Sequence, residues 1–407
     1  MGEWKRVKLG SLIRIKHGYA FPGAGITSDD NGKVLVTPGN FNIGGGFKES
    51  GKKFFSGEFP AAYCLSGGDL IVTMTDLSKS SDTLGYSAIV PSNSDNQYLH
   101  NQRIGLVGIV DEMANRNFIY WLMRTPSYHH EVVAGASGTT VKHTSPSRIY
   151  DVEVELPDLP TQRRIAAVLG ALDDKIEVNR KICENLEAQA QALFKAWFVD
   201  FEPFGGKRPE GWKMGKLGDV VEFKNGFAFK SSEFKERARY KVMTIKAVQN
   251  GKLVTEGADC IDDIPTKMPS WCVLRDADIL LSLTGNVARC CLVYEDDLLL
   301  NQRVARLVPR TAEDIAFVYA LFRSDKTRKR LETIAKGTAQ ANLSPIETAD
   351  LPQLIPAEAE RSRFANLCNP MIEAIVKTNR ESRALAAMRD ALLPKLMSGE
   401  LSVEKVA

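Results

Sequence analysis

Two kinds of hydrophobic patterning follow one another along the chain, and the succession occurs twice. Short β-branched and leucine runs come first: Val34-Leu35-Val36-Thr37, Asp69-Leu70-Ile71-Val72-Thr73-Met74, and residues 104–110. They lie between Pro38-Gly39-Asn40, Gly44-Gly45-Gly46 and Gly67-Gly68, and apolar runs bounded by turn residues predict strands. Phe118, Ile119, Leu122 and Met123 share one helical face, which predicts a helix over 117–125. The texture then changes. From Thr161 to Phe198 there is no Pro and one Gly. Here Ile165, Leu169, Leu172, Ile176, Asn179, Cys183, Leu186, Ala190, Leu193 and Trp197 recur in steps of three and four, the spacing of a coiled-coil seam. Thr161 is the expected N-cap, and a helix of this span is a rod of roughly 57 Å.

The series starts again about 200 positions on. Trp4-Lys5, Lys8-Leu9-Gly10 and Lys16-His17-Gly18-Tyr19-Ala20-Phe21 return as Trp212-Lys213, Lys216-Leu217-Gly218 and Lys224-Asn225-Gly226-Phe227-Ala228-Phe229. Asn101-Gln102-Arg103 returns as Asn301-Gln302-Arg303, and Ser145-Pro146 as Ser344-Pro345. Strands are expected over 242–245 and 279–283, and a helix over 315–323. A second seam runs through Cys368, Met371, Ile375, Thr378, Ser382, Leu385, Leu392 and Leu396, with Arg389 as its misfit. Pro370 is expected to break or kink this helix near its start, and Pro394 near its end. A lone apolar seam is unstable in water, so the two rods are expected to pack antiparallel, with Asn179 and Asn379 at nearly equivalent points. The fold class that follows is α+β: a tandem pseudo-repeat of a strand-rich domain and a long helix. Its boundaries are 1–155, 156–202, 203–353 and 354–407.

Charge and cysteine usage change this picture little. The net charge of +3 permits an anionic partner without demanding one, so charge has to be argued locally. Seven cysteines include no Cys-x-x-Cys, and no apolar run nears the roughly 18 residues of a membrane span. The first ten residues have no signal-peptide core, and a cytoplasmic protein with reduced thiols is expected.

Motifs for catalysis fail on inspection. Gly46-Phe47-Lys48-Glu49-Ser50-Gly51-Lys52 imitates a phosphate loop, but Lys53 stands where a magnesium-binding hydroxyl belongs, and the second copy has no counterpart. Asp219 with Glu222-Phe223-Lys224 imitates a nuclease site, yet the first copy offers Ser11, Arg14 and Lys16 there. The five histidines show no metal-ligand spacing, and neither Pro-Pro nor Gly-x-Gly-x-x-Gly occurs. The expectation is a chain without a catalytic centre, a metal or a bound cofactor.

Gly-bearing loops rich in amides, hydroxyls and basic groups suit base edges and phosphates instead. In the first copy the candidates are Asn40, Asn42, Thr75, Ser78, Lys79 and Ser80, then Gln102, Arg103, Lys142 and His143. In the second they are Lys246, Thr284, Asn286, Gln302 and Arg303, then Lys336, Gln340 and Asn342. Residues that differ between the copies are where different sequences would be read.

Leu156-Pro157, Gln162-Arg163-Arg164-Ile165-Ala166, Leu172-Asp173-Asp174-Lys175-Ile176-Glu177 and Asn179-Arg180 resemble the central region of type I restriction-modification specificity subunits. The tail Leu392-Leu393-Pro394-Lys395-Leu396-Met397-Ser398-Gly399-Glu400-Leu401 is similar to their C-terminal signature, and Trp4, Leu9-Gly10 and Gly18-Tyr19-Ala20-Phe21 to the start of their target-recognition domains. The resemblance covers essentially the whole chain. It departs at Glu360-Arg361-Ser362-Arg363-Phe364, where the second helix lacks the Gln-Arg-Arg-Ile entry.

The resemblance implies a non-catalytic subunit whose two domains each read one half of a split double-stranded DNA target. Two adenine-N6 methyltransferase subunits and translocase-nuclease subunits would be its partners. S-adenosylmethionine, ATP and magnesium would sit on those partners. Docking on the helices is expected through Arg163, Arg164, Asp174, Arg180, Arg361, Arg363 and Arg380. Two other readings stay open from the residues: a coiled-coil scaffold joining protein-binding modules, and a stand-alone DNA-modifying enzyme.

Overall fold

The run 69–74 forms a strand over Leu70–Thr73 with all four side chains buried, and it lies inside an antiparallel four-stranded sheet. Across that sheet the order is Ile13–His17, Ile104–Ile109, Leu70–Thr73, Ser87–Ile89. A five-stranded sheet beside it places Lys33–Val36 parallel to Gln97–His100. The second copy repeats the plan: Val221–Asn225, Val304–Pro309, Ile279–Ser282 and Cys290–Leu292 make its antiparallel sheet, and Tyr240–Met243 runs parallel to Leu298–Leu300. Each copy is tied to its helix by a two-stranded ribbon, Lys5–Lys8 with Glu153–Leu156 and Lys213–Lys216 with Pro352–Ile355. This computed structural model describes residues 4–405 except Leu77, Lys79, Asn93, Ser94, Thr140 and 336–340.

The helix expected over 117–125 spans Arg116–Leu122, and the one over 315–323 matches Ile315–Arg323. Two further helices were not expected: Pro126–Ala134, whose apolar periodicity is weak, and Asp325–Ile334, which has few apolar residues. The long helices run Leu159–Phe198 and Glu358–Met397. Two expectations about them need correction. The first helix starts before Thr161, and Asp158 is the cap: its Oδ1 accepts the Thr161 amide at 2.9 Å. The second helix continues through both Pro370 and Pro394. A proline removes one helical hydrogen bond, at a cost of about 3 kcal/mol. Burial of Phe364, Cys368, Ile372, Leu393 and Leu396 around the two prolines offsets that, at about 1.5–3 kcal/mol for each large side chain.

The chain forms two compact units, Met1–Asp174 with Leu385–Ala407, and Lys175–Ala384. In the first, Ile165, Ala166 and Leu169 from one long helix and Leu393, Leu396 and Met397 from the other close a core with Leu12, Phe118 and Trp121. In the second, Phe194 and Trp197 from one and Phe364, Cys368 and Ile372 from the other close a core with Leu280, Phe317 and Phe322. Within the second unit Asn179 donates to Glu381 at 2.8 Å and Asn379 donates to the Cys183 sulfur at 3.3 Å, so the helices run antiparallel. Asn179 is buried, and its Oδ1 has no partner among the described residues. In the first unit the misfit Arg389 bonds Asp173, which also accepts from Arg124 at 3.0 Å. Arg124 lies over the Trp121 ring, 4.4 Å from its centroid, and so links that domain to both helices.

The repeated glycines have a steric cause. A Cβ on Gly18 would lie 2.2 Å from the Asn101 carbonyl oxygen, and one on Gly226 would lie 2.2 Å from that of Asn301. Gly18→Ala or Gly226→Ala should therefore cost about 1–3 kcal/mol in urea unfolding, since the facing atoms are backbone and cannot swing away. Gly23→Ala, with nothing within 4 Å of its Cβ position, should be near neutral.

Candidate nucleic-acid interface

In each copy one residue just past a central strand gathers three loops. The Met74 amide donates to the Arg103 carbonyl at 2.9 Å, and the Met74 carbonyl accepts from Thr144 at 3.0 Å. Leu283 does the same with Arg303 at 3.0 Å and Leu343 at 2.7 Å. Beyond this junction Thr75–Asp76 pairs antiparallel with Lys142–His143, and Thr75 Oγ1 lies 3.2 Å from His143 Nδ1. In the second copy Thr284 bridges Asn342, and its hydroxyl donates to the Asn342 Oδ1 at 3.2 Å. Candidates scattered over some 70 positions of sequence therefore share one surface in each domain.

The Asn-Gln-Arg turn divides its labour. Asn101 Oδ1 accepts the Arg103 amide at 3.0 Å, and Asn301 Oδ1 accepts that of Arg303 at 3.2 Å, so the asparagines hold the turn. The amides of Gln102 and Gln302 bond the carbonyls of Tyr19 and Phe227, both at 2.9 Å. Gln102, Arg103, Gln302 and Arg303 are exposed, and the two guanidinium groups make no ion pair among the described residues. What recurs as a motif is thus a structural amide followed by two outward side chains.

The loops that differ are built differently. Asp76, buried, accepts from Ser78 N at 2.6 Å and from Thr83 N and Oγ1 at 2.5 and 2.7 Å, which ties Thr83 back to the end of the strand. Burial opposes ionisation of Asp76, yet these hydrogen bonds outweigh it and hold the carboxyl below the ordinary aspartate value. His129 stacks on Tyr86 with centroids 4.2 Å apart, and bonds the carbonyl of Ser81, which has φ +60°. The second copy has Gly285 in place of Asp76 and a tighter turn, closed by Ser282 Oγ donating to the Asn286 carbonyl at 2.6 Å. Asn286 itself is exposed. Asp76 escaped the sequence reading because its partners become neighbours only when the loop closes.

Several candidates must be corrected. Asn40 is fully buried and its amide serves the turn: Oδ1 accepts from Thr37 N at 2.9 Å, and Nδ2 donates to the Lys48 carbonyl. Thr75 is buried beneath His143. Neither presents a group outward. Asn42, Ser80, His143, Lys246 and Asn342 are exposed, while Ser78, Lys142 and Thr284 are partly so. Lys79, Lys336 and Gln340 lie outside the described residues. The glycine run that imitates a phosphate loop leads into the strand Lys53–Phe55, so no helix N-terminus faces it. Asp219 accepts the Lys216 amide at 2.7 Å, and Glu222 pairs with Lys224. Among the described residues no group of three or more His, Cys, Asp or Glu is placed to hold a metal, and no helix is long and apolar enough to cross a membrane.

The docking candidates separate in the same way. Arg163 and Asp174 are exposed and have no partner among the described residues, Arg164 reaches Glu404 at 3.2 Å, and Arg363 lies over Trp197. Arg180 pairs with Glu177 and Glu184 on its own helix. Arg361, partly buried, pairs with the buried Asp314 at 2.8 Å, and Arg380 bridges Asp276 and Asp296 at 2.8 and 2.7 Å. Those two arginines hold the second unit together. Gln162, passed over as a candidate, is a buried clasp: its Oε1 accepts from Asn115, and its Nε2 donates to Met113 and Pro157, all at 2.8 Å.

A framework that presents one three-loop surface twice, with different residues each time, is the build of a recognition protein. The chain belongs to the type I restriction modification DNA specificity domain family, which it matches over residues 1–188 and 209–353. These are non-catalytic DNA-recognition subunits. The type I restriction enzyme MjaIX specificity subunit of Methanocaldococcus jannaschii is 28% identical over 338 residues, covering 79% of this chain and 76% of that one. The HindI specificity subunit of Haemophilus influenzae is 24% identical over 396 residues, 78% of this chain and 86% of its own. The S subunit from M. genitalium shares the fold, with a TM-score of 0.55 at 17% identity over 97% of this chain and 96% of that one.

Removing the Asp76 carboxylate should release Ser78 and Thr83. Asp76→Ala should lower stability by about 1–3 kcal/mol in urea unfolding, the cost of stranding buried donors. A carboxyl with a depressed folded-state pKa stabilises fully above its ordinary value and loses that effect as pH falls through the depressed one. The gap between wild type and variant should therefore hold from neutral pH to about 5 and shrink below about 4.

Proposed function

We propose that this chain is the specificity subunit of a type I restriction-modification system and reads a split double-stranded DNA target, one half with each domain. Residues 1–155 and 203–353 are the two readers, and 156–202 and 354–407 are the helical segments that carry them. The observation that carries this reading is the repeated junction at Met74 and Leu283, a constant backbone framework bearing unlike outward side chains. A constant framework suits phosphate positioning, and the variable side chains suit base readout. The outward candidates are Asn42, Ser78, Ser80, Gln102, Arg103, Lys142 and His143 in the first domain. In the second they are Lys246, Thr284, Asn286, Gln302, Arg303 and Asn342. Lys79, Lys336 and Gln340 stay candidates on their sequence alone.

Two adenine-N6 methyltransferase subunits dock on the helices, and translocase-nuclease subunits join them. S-adenosylmethionine, ATP and magnesium belong to those partners, and the complex works in the cytoplasm. Arg163, Arg164, Asp174 and Arg363 are the docking residues this reading retains, together with the exposed apolar side chains Val178 and Ile182 on the first long helix. Arg180, Arg361 and Arg380 leave the list: Arg180 and Arg380 are each held by two carboxylates, and Arg361 by the buried Asp314, whereas Arg164 has one exposed partner.

Arg103→Ala and Arg303→Ala, each measured in the assembled complex on duplex DNA, test the shared surface. A base-reading arginine should cost about 1–3 kcal/mol and relax selectivity in one half of the target, and a phosphate-bound one should lower the salt slope by about 1. Unchanged affinity, selectivity and salt slope in both variants would remove the Asn-Gln-Arg turn from the interface.

A further inference from the structure

Each copy also pairs a lysine with an aromatic ring beside the Asn-Gln-Arg turn, and the two pairs differ in charge balance. Lys16 Nζ lies 5.2 Å from the centroid of the Tyr63 ring, and Lys224 Nζ lies 5.1 Å from that of Trp271. Both lysines stand two residues before the glycine that touches the turn, Gly18 against Asn101 and Gly226 against Asn301. At the rise of an extended chain that is about 7 Å along the strand. In both domains the lysine therefore lies on the strand that leads to the turn.

The surroundings then diverge. Lys16 is exposed, donates to the Ala62 carbonyl at 3.3 Å, and makes no ion pair among the described residues. Lys224 is bound by Glu222 at 2.5 Å, and Arg310 lies 3.9 Å from the same carboxylate. Arg306, opposite Lys224 in the sheet register, is paired to Asp278 at 2.8 Å. The first copy has Arg14 in the place of Glu222 and Leu106 in the place of Arg306. Arg14 turns away, bonding the carbonyls of Gly10 and Ile13.

Resting on the DNA reading above, we infer that Lys16, held over Tyr63, grips a backbone phosphate for the first domain, whereas Glu222 silences the equivalent Lys224 in the second. An ammonium has three donors, and the Ala62 carbonyl takes one, which leaves two for an anion. The ring face steadies the long side chain without neutralising it. The lysine sits on the constant framework outside the variable loops, which suits a contact that carries no sequence information. A lysine already paired to a carboxylate displaces no counterion from DNA, so the two domains contribute unequally to the electrostatic part of binding.

The test is equilibrium binding of the complete complex to target and scrambled duplexes over a salt series, with melting temperatures as a control. Lys16→Gln should weaken binding to both duplexes alike and lower the slope of log K against log salt by about 0.9, the loss of one phosphate contact. Lys16→Arg should restore that slope. Lys224→Gln should change nothing, and Glu222→Gln should raise the slope by about 0.9 by freeing Lys224. An unchanged slope in Lys16→Gln, or an equal loss in Lys224→Gln, would overturn the inference while a selective wild-type complex left the reading of function intact. A wild-type complex that bound both duplexes equally would contradict that reading itself.

Discussion

The apolar face of each long helix cannot be left in water, and the way it is covered shapes everything else. Each core draws on the entry half of the helix that follows its domain and on the exit half of the other helix. Leu169 with Leu396 and Met397 does this in the first unit, and Phe364 with Phe194 and Trp197 does it in the second. One copy of the module, with its own helix alone, would leave the part of its core that the other helix covers open to water. Hydrophobic burial thus explains why the module is written twice on one chain. Charges reinforce the closure, with Asp173 between Arg124 and Arg389 in one unit, and Arg380 between Asp276 and Asp296 in the other.

That burial also frees the rest of each domain to vary. Backbone groups carry the junctions at Met74 and Leu283, so the side chains beyond them are not needed to hold the junctions and can change between copies. The fixed points are those where backbone meets backbone closely, Gly18 on Asn101 and Gly226 on Asn301. The loops are then stabilised locally and individually, by the Asp76 carboxylate in one copy and by Ser282 in the other. A recognition surface with this division can change its readout without refolding its support.

Much of this was legible before any coordinates. The helical seams, the central strands and the duplication rest on long periodic patterns, which local sequence reports well. Pro370 misled because the cost of one lost hydrogen bond is visible in sequence, whereas the burial of Cys368 and Ile372 beside it is not. Arg361 and Arg380 read as docking residues because their partners, Asp314 and Asp276, lie 47 and 104 positions away. Asn40 looked like a base reader for the same reason. An amide in a Pro-Gly-Asn turn has the right chemistry for DNA, and only its burial shows that Thr37 and Lys48 already claim it. In the Asn-Gln-Arg motif recurrence was legible, but the split between a structural Asn and an outward Gln-Arg required the fold.

The central claim is that two independent readers on one chain specify a split DNA target. Mapping modified adenines across a host genome tests it most directly, with the chain present, deleted, and carrying residues 1–155 exchanged for those of a relative. The account predicts a two-part modified motif that disappears on deletion and changes in one half only after the exchange. A motif that survives deletion, or an exchange that alters both halves together, would contradict it.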